Sequence, residues 1–298
     1  MRPGGKKSHG VLLEGQVVAA FGRRYLVELR DATTLDCVTR GRRGALACGD
    51  RVSVACRGPG QGVIEQLETR DTLLYRSDRV RQKLIAANVT QIVVVAAPAP
   101  TFHVDLINRC LAAAEHAGIV SLIVMNKSDL PGAKRALDSL APYRQLGYRV
   151  VTLSAKRDVG PLRGLLKDNT SVLVGQSGMG KSTIINALVP AAAVRVAEIS
   201  AALDSGRHTT THVRLYRLDR NTSIIDSPGL QEFGLHHLDA TELAEAFLEF
   251  RPWLGHCRFR NCRHLSEPGC AIAAARAGGR ISEKRLESYR GLLKERDR

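Results

Sequence analysis

The pattern of hydrophobic and polar positions changes at about residue 70. Before it, short apolar runs recur at 11–20, 25–29, 35–39, 51–55 and 62–66, and glycine- and aspartate-containing turns separate them. Five short strands in so few residues predict a small β-barrel of the OB type, with an SH3-like barrel as the main alternative.

From Gln91 onward the apolar runs become continuous and alternate with helical patterns. Strands are predicted at 91–96, 121–125, 149–153, 171–174, 212–218 and 222–225, with helices at 104–117, 134–146, 161–166 and 182–188. Continuous apolar strands alternating with helices are typical of a mainly parallel sheet covered on both faces. The sequence therefore predicts an α/β domain after the barrel.

The C-terminal part is predicted to be helical, with one cluster of cysteine and histidine. Helices are expected around 240–250 and at 282–295, and the second carries an apolar stripe. The stripe consists of Leu286, Tyr289, Leu292 and Leu293.

The net charge of the chain indicates a macromolecular partner. Lys and Arg number 44 and Asp and Glu 29 in 298 residues, a net charge of +15 that favours a nucleic acid. Aromatic residues make up only 4%, so backbone contact to structured RNA is expected rather than extensive base stacking. No apolar run reaches the roughly 18 residues of a membrane span, and no secretory signal is recognisable, so a cytoplasmic protein without a membrane partner is expected.

A phosphate-binding loop follows the apolar run at 171–174. Gly175-x4-Gly180-Lys181-Ser182 stands between a predicted strand and a predicted helix, which is the context of a P-loop. Lys181 is expected to reach the β- and γ-phosphates and Ser182 to bind Mg²⁺. The predicted nucleotide-binding residues of this segment are Gly175, Gln176, Ser177, Gly178, Met179, Gly180, Lys181, Ser182 and Thr183.

A second motif selects guanine. Asn126-Lys127-Ser128-Asp129 follows a buried strand, and the Asp129 carboxylate can accept hydrogen bonds from both N1–H and the 2-amino group of guanine. Ser154 and Ala155 begin a Ser-Ala-Lys segment that matches the loop whose backbone reads guanine O6. GTP and GDP are therefore the predicted nucleotides.

Two further segments match the switch regions of GTPases. Asp226-Ser-Pro-Gly229 fits the Asp-x-x-Gly pattern, with Asp226 holding Mg²⁺ through water and the Gly229 N–H sensing the γ-phosphate. In the polar segment 206–211, Thr210 is the predicted Mg²⁺ ligand, with Thr209 and Thr211 as alternatives. Leu230 stands where Ras-like enzymes carry a water-orienting glutamine, so slow intrinsic hydrolysis is expected, and His208 is a candidate for that task. Lys181, Thr210, Asp226 and His208 form the predicted catalytic set.

The cysteine cluster predicts one structural zinc ion. Cys257-x4-Cys262-x-His264-x5-Cys270 offers three thiolates and one imidazole, which suit a closed tetrahedral site. His256 competes with His264 as the nitrogen ligand, but its position beside Cys257 is crowded. The cluster is surrounded by Arg251, Arg258, Arg260 and Arg263, which make it basic and are consistent with phosphate contact.

The base motif precedes the P-loop, whereas ordinary GTPases have the reverse order. This order, the segment 206–211 and the Cys/His spacing resemble the circularly permuted, small-ribosomal-subunit-dependent GTPase family (ribosome biogenesis GTPase A). The resemblance covers nearly the whole chain. It implies a late assembly factor of the 30S subunit and its 16S rRNA, which hydrolyses GTP when bound there and then leaves.

The resulting domain division is a basic flexible tail at 1–10, the OB-like barrel at 11–70, a circularly permuted GTPase domain at 71–233 and a helical zinc-binding domain at 234–298. A monomer is expected. Two other functions stay open at this point: an RNA-binding scaffold that uses GTP only as a binding signal, and a GTPase of tRNA modification, for which no base-modifying site is apparent.

Overall fold

The N-terminal strands close into a barrel in the computed structural model, which describes residues 11–40, 46–77, 82–190, 213–227 and 235–297. The barrel strands are β1 (Leu12–Phe21), β2 (Arg24–Leu29), β3 (Thr34–Thr39), β4 (Arg51–Gly58) and β5 (Gln61–Leu67). They pair in the order β1-β2-β3-β5-β4, and β4 pairs back onto β1. The parallel β3–β5 pair and the β1–β4 closure are the OB topology, so the SH3-like alternative is wrong.

A hairpin that the sequence did not predict follows the barrel. Its strands are β6 (Leu73–Ser77) and β7 (Gln82–Ala87). The Ala87 N–H donates to the Cys48 carbonyl of the barrel at 2.8 Å. Nearby, the fully buried Asp50 carboxylate accepts hydrogen bonds from Arg70 at 2.7 and 2.8 Å. Asp50 directly precedes β4, so this ion pair attaches the barrel to the segment that leads into the hairpin.

The predicted α/β sheet is present and lies beside the barrel. Its strands are β8 (Gln91–Ala96), β9 (Val120–Met125), β10 (Arg149–Thr152), β11 (Thr170–Val174), β12 (Arg214–Arg217) and β13 (Ser223–Asp226). They run in the order β10-β9-β8-β11-β13-β12, and every pair is parallel except β12–β13. Their parallel arrangement brings the ends of β8, β9, β10, β11 and β13 to one edge, where ligands of α/β sheets bind.

The barrel and this sheet are continuous through one antiparallel contact between β1 and β12, at Ala19 and Arg214. Beside it, Arg217 donates to the Gln16 side chain at 2.8 Å and forms an ion pair with Glu28 of β2. The strand that follows the segment predicted to be switch I is therefore attached directly to the barrel.

Helices flank the sheet: α1 (Val104–His116), α2 (Ala133–Asp138), α3 (Ala141–Gln145), α4 (Gly160–Leu166) and α5 (Lys181–Leu188). The prediction of one helix over 134–146 is wrong, because the helix is interrupted between α2 and α3. Pro142 lacks an N–H, and its ring would meet the carbonyl of Asp138 in a continuous helix.

The C-terminal part is helical. It contains α6 (Ala240–Glu245), a 3₁₀ helix (Leu248–Trp253), α7 (Ala271–Ala277) and α8 (Glu283–Asp297). The predicted helix at 240–250 ends early, since Phe247 turns extended and Pro252 lies in the 3₁₀ helix. The rings of Phe247 and Phe250 then pack on Tyr289, with centroids 5.6 and 5.1 Å away.

A buried polar network joins this helical part to α1. Asn108 is only 2% exposed; its amide donates to Ser288 at 2.7 Å and its carbonyl accepts from Tyr143 at 2.7 Å and Arg285 at 2.6 Å. Arg285 also pairs with Glu249 at 2.5 Å, so its buried charge is neutralised. Among the described residues, no helix is long and apolar enough to cross a membrane.

Candidate nucleotide and zinc sites

A cavity of about 640 Å³ opens at the edge where the parallel strands end. It brings together the base motif after β9, the Ser-Ala-Lys segment after β10, the P-loop after β11 and the aspartate that ends β13. Its lining comprises Asn126, Lys127, Asp129, Leu130, Ser154, Ala155, Lys156, Ser177, Gly178, Gly180, Lys181, Ser182, Thr183 and Asp226. Four segments predicted separately thus meet in one site.

Asn126 connects three of these segments from a buried position. Its amide nitrogen donates to the carbonyl of Met179 in the P-loop at 2.9 Å, and its amide oxygen accepts from the N–H of Ala155 at 3.0 Å. The side chain is only 2% exposed, so these two bonds satisfy its polar atoms where water does not reach. Asn126 therefore sets the spacing between the phosphate-binding and base-binding loops.

Gly180 leaves the room that this connection needs. A Cβ at position 180 would lie 2.3 Å from the Asn126 amide nitrogen, and the backbone has a φ of 93°. Both the contact and the left-handed conformation exclude an ordinary side chain. Helix α5 begins directly after Gly180, at Lys181.

Lys181 and Asp226 form a partly buried pair of opposite charge. The Lys181 ammonium donates to the carbonyls of Gly175 at 2.5 Å and Gln176 at 2.9 Å. Burial lowers the pKa of Lys181 while Asp226 raises it; burial raises the pKa of Asp226 while Lys181 lowers it. Each charge costs desolvation energy here and is stabilised by its partner, which is typical of groups positioned for a charged ligand.

Asp129 lines the same cavity from an exposed position and is held as a carboxylate. A hydrogen bond from Ser154 is the main cause that lowers the pKa of Asp129, and Lys156 contributes by its charge. Lys127 in the same motif donates to the Ala99 carbonyl at 2.7 Å. An ionised Asp129 is the acceptor that a pair of guanine donors requires.

Gln176 has a contact that sequence reasoning missed. Its side-chain oxygen accepts from the N–H of His103 at 2.7 Å, immediately before α1. Because the sequence assigned Gln176 only to phosphate binding, the attachment of α1 to the P-loop was not expected, and no local pattern indicated it.

Apart from Asp226, the predicted switch residues fall on other parts of the chain. Thr210, with its alternatives Thr209 and Thr211, and His208, Gly229 and Leu230 lie outside the described residues. The corresponding predictions of Mg²⁺ binding, γ-phosphate sensing and water positioning stay predictions.

The cysteine cluster comes together in the C-terminal part. Cys257, Cys262, His264 and Cys270 offer ligand atoms that all lie within 4.8 Å of one another. The His264 Nδ1 atom is 3.6, 3.5 and 3.5 Å from the sulfurs of Cys257, Cys262 and Cys270. Zinc bonds of about 2.0–2.1 Å to nitrogen and 2.3 Å to sulfur at tetrahedral angles would put these atoms about 3.5 Å apart, so the cluster fits zinc.

Local hydrogen bonds support this cluster. The Glu267 carboxylate accepts from the N–H groups of Arg263 at 2.7 Å, Leu265 at 2.9 Å and Ser266 at 3.1 Å, which folds the loop around His264. The Ala271 N–H points to the Cys257 sulfur at 3.3 Å, an arrangement that favours a thiolate. His256, the competing nitrogen ligand, is not part of the group.

Sequence comparison finds close relatives over nearly the whole chain. The small ribosomal subunit biogenesis GTPase RsgA of Nitrosospira multiformis is 56% identical over 282 residues, which cover 94% of this chain and 90% of that protein. The protein of the same name from Nitrosomonas europaea is 51% identical over 293 residues, 97% of this chain and 93% of the relative.

Two solved structures agree with this fold, and a family model matches more than half of the chain. YjeQ from Thermotoga maritima superposes with a TM-score of 0.74 at 28% identity, covering 96% of this chain and 98% of that one. YloQ, described as a circularly permuted GTPase, superposes with a TM-score of 0.71 at 26% identity, covering 98% of both chains. The RsgA GTPase model matches residues 67–236, and the chain therefore belongs to the RsgA GTPase family.

Proposed function

We propose that this chain is a GTPase of small ribosomal subunit biogenesis, which binds the 30S particle through its 16S rRNA and hydrolyses GTP to GDP and phosphate there. Membership in a GTPase family supports the reaction, and the name of the relatives supports the ribosomal partner. The net charge of +15 suits an RNA-rich particle. We further propose that the protein acts in the cytoplasm as a monomer, with the barrel, GTPase and zinc domains divided at about residues 70 and 233.

The observation that carries the proposal is the single cavity shared by the two motifs. A base-reading segment and a P-loop on different strands could serve two ligands, but Asn126 bonds to the loops of both at 2.9 and 3.0 Å. The same cavity is lined by Asp129 of the base motif, by Lys181 of the P-loop and by Asp226. A ligand with a guanine base and an attached polyphosphate would supply donors to Asp129 and negative charge to Lys181.

The proposed roles follow from charge and position. Lys181 stabilises the negative charge that spreads over the γ-phosphate as water attacks, and its buried surroundings strengthen that interaction. The P-loop residues 175–183 hold the phosphates, while Asn126, Lys127, Asp129, Ser154 and Ala155 bind the base. When bound, Mg²⁺ neutralises phosphate charge; Ser182, Asp226 and Thr210 are the residues that would hold it.

Positioning of the attacking water is the step for which this chain depends most on its partner. Leu230 cannot orient a water molecule, so we propose slow turnover of the free protein. The small subunit then accelerates the reaction by helping to position the attacking water, with His208 as the candidate residue of this chain for that task. The zinc site adds no reaction step; when bound, the ion cross-links Cys257, Cys262, His264 and Cys270.

The test is GTP turnover by the wild type and by Lys181→Ala, with and without purified 30S subunits. We expect stimulation of at least tenfold by 30S subunits and loss of that stimulation in the variant, since removing one charge-stabilising donor typically costs 100-fold or more in rate. Lys134→Ala, an exposed lysine on α2 outside the cavity, is the matched control and should behave as wild type. Turnover that is not stimulated by 30S, and that survives Lys181→Ala, would leave the RNA-binding scaffold as the better account.

A further inference from the structure

The loop between two zinc ligands presents an aromatic ring to solvent. Phe259 lies between Cys257 and Cys262 and is 42% exposed. In the part of the chain that the structure describes, it is the one aromatic residue among the exposed large hydrophobic residues. Burying such a ring would be favourable, and nothing in the described fold buries it.

The segment 251–263, which contains two of the cysteines, carries four arginines, and the structure separates them into two kinds. Arg251 is paired with Glu115 at 2.8 Å, and Arg263 forms an ion pair with Asp297. Arg258 and Arg260, on either side of Phe259, are exposed and have no carboxylate partner among the described residues. The two unneutralised guanidinium groups thus stand beside the exposed ring.

The backbone of this loop is fixed by the fold around it. The Arg258 N–H donates to the Gly269 carbonyl at 3.0 Å, and the Cys262 N–H donates to the Phe259 carbonyl at 3.2 Å. Gly269 has a φ of 72°, and a Cβ there would lie 2.9 Å from the Arg258 Cβ, so glycine is needed for the close approach. The Arg258 guanidinium lies 5.5 Å from the Phe259 ring centroid, which orients the ring by a cation–π contact.

We infer that the loop 258–261 binds an unpaired base of RNA, which stacks on Phe259 while Arg258 and Arg260 contact the adjacent phosphates. An aromatic ring can stack on any base, and guanidinium groups are the usual ligands of the RNA backbone. A protein partner would also bury the ring, but the net positive charge of the loop favours a polyanion. This inference rests on the proposed ribosomal function and names one RNA contact within it.

The test places a fluorescent tryptophan at position 259 and follows its emission. The chain has one tryptophan, Trp253, so the full-length Phe259→Trp variant in a Trp253→Phe background carries a single reporter. Protein-free 16S rRNA contains no tryptophan, and stacking of a base should quench the emission of the reporter. A fully paired RNA duplex at the same nucleotide concentration should leave it unchanged. Trp253→Phe alone reports whether the background variant keeps its zinc and its affinity for GDP.

Affinity measurements make the inference quantitative. Phe259→Leu keeps an apolar side chain but removes the ring, so affinity for 30S subunits should fall about tenfold while the salt dependence stays unchanged. Arg260→Ala should instead lower the slope of log K against log salt by about 0.7–0.9. Zinc content and GDP affinity should be those of the wild type in both variants.

Two results would overturn the inference. Phe259→Leu with wild-type affinity for 30S subunits would show that the ring contributes nothing, even though the ribosomal function itself stands. Weaker 30S binding by Phe259→Leu without quenching by protein-free 16S rRNA would show that the ring contacts a ribosomal protein. If the wild type does not bind 30S subunits but the reporter is quenched by unpaired RNA alone, the proposed function fails and the RNA contact survives.

Discussion

Asn126 offers a direct way to perturb the connection between the two halves of the nucleotide site. Asn126→Ala removes the bonds of 2.9 Å to Met179 and 3.0 Å to Ala155. Each hydrogen bond contributes about 1 kcal/mol net, so the free energy of unfolding should fall by about 2 kcal/mol. The larger effect is expected on nucleotide binding, because the P-loop and the base-binding loops lose their fixed spacing. We expect 10- to 100-fold weaker binding of a fluorescent GDP analogue.

Asn108 is the matched control for this experiment. It is equally buried, at 2% exposure, and makes three hydrogen bonds of 2.6 to 2.7 Å, but it lies at the contact between α1 and α8. Asn108→Ala should therefore lose about 2–3 kcal/mol of stability by urea unfolding and keep its GDP affinity within twofold. The reasoning is refuted if Asn126→Ala binds GDP like the wild type, or if both variants lose affinity equally.

Three further predictions concern stability. Burial lowers the pKa of His237 to about 4, below an ordinary value near 6.5, so the unfolded chain takes up this proton first and stability should fall as the pH drops from about 6.5 to 4. The full pKa shift corresponds to about 3 kcal/mol in the free energy of unfolding, and about half of that is expected because the ring is only half-buried. His237→Phe should remove this part of the pH dependence, measured by urea unfolding. Zinc removal by a chelator, or Cys262→Ser, should unfold the C-terminal part and abolish 30S binding while sparing GDP binding; retained 30S binding would contradict the role given to zinc. Arg70→Met should cost about 3 kcal/mol, because it leaves the fully buried Asp50 carboxylate without its counter-ion, and a melting temperature equal to that of the wild type would contradict this.

The sequence predicted the strands and the motifs well because both have local signals. The predicted run at 91–96 is β8, residue for residue, and the predicted run at 171–174 lies within β11. The meeting of the motifs at one edge of the sheet was also predictable, since each motif follows a strand and parallel strands end at the same edge. Helix ends were less reliable, as the break before Pro142 demonstrates.

Long-range contacts were not predictable, because no local period encodes them. The pairing of Ala19 with Arg214 joins the barrel to the strand after switch I across a separation of almost two hundred residues. Arg285 was outside the predicted apolar stripe of the last helix, yet its side chain is 7% exposed, since Glu249 and Asn108 satisfy its charge and donors. The hairpin of β6 and β7 was also missed.

The central claim is that the base motif and the P-loop form one site that hydrolyses GTP on the small subunit. Asp129→Asn tests it directly, because an amide can donate to the 2-oxo group of xanthine but opposes the 2-amino group of guanine. We predict that this variant loses 30S-stimulated GTP hydrolysis by about 100-fold or more and gains 30S-stimulated hydrolysis of xanthosine triphosphate. Unchanged GTP turnover on 30S subunits, with no gain on xanthosine triphosphate, would contradict the account.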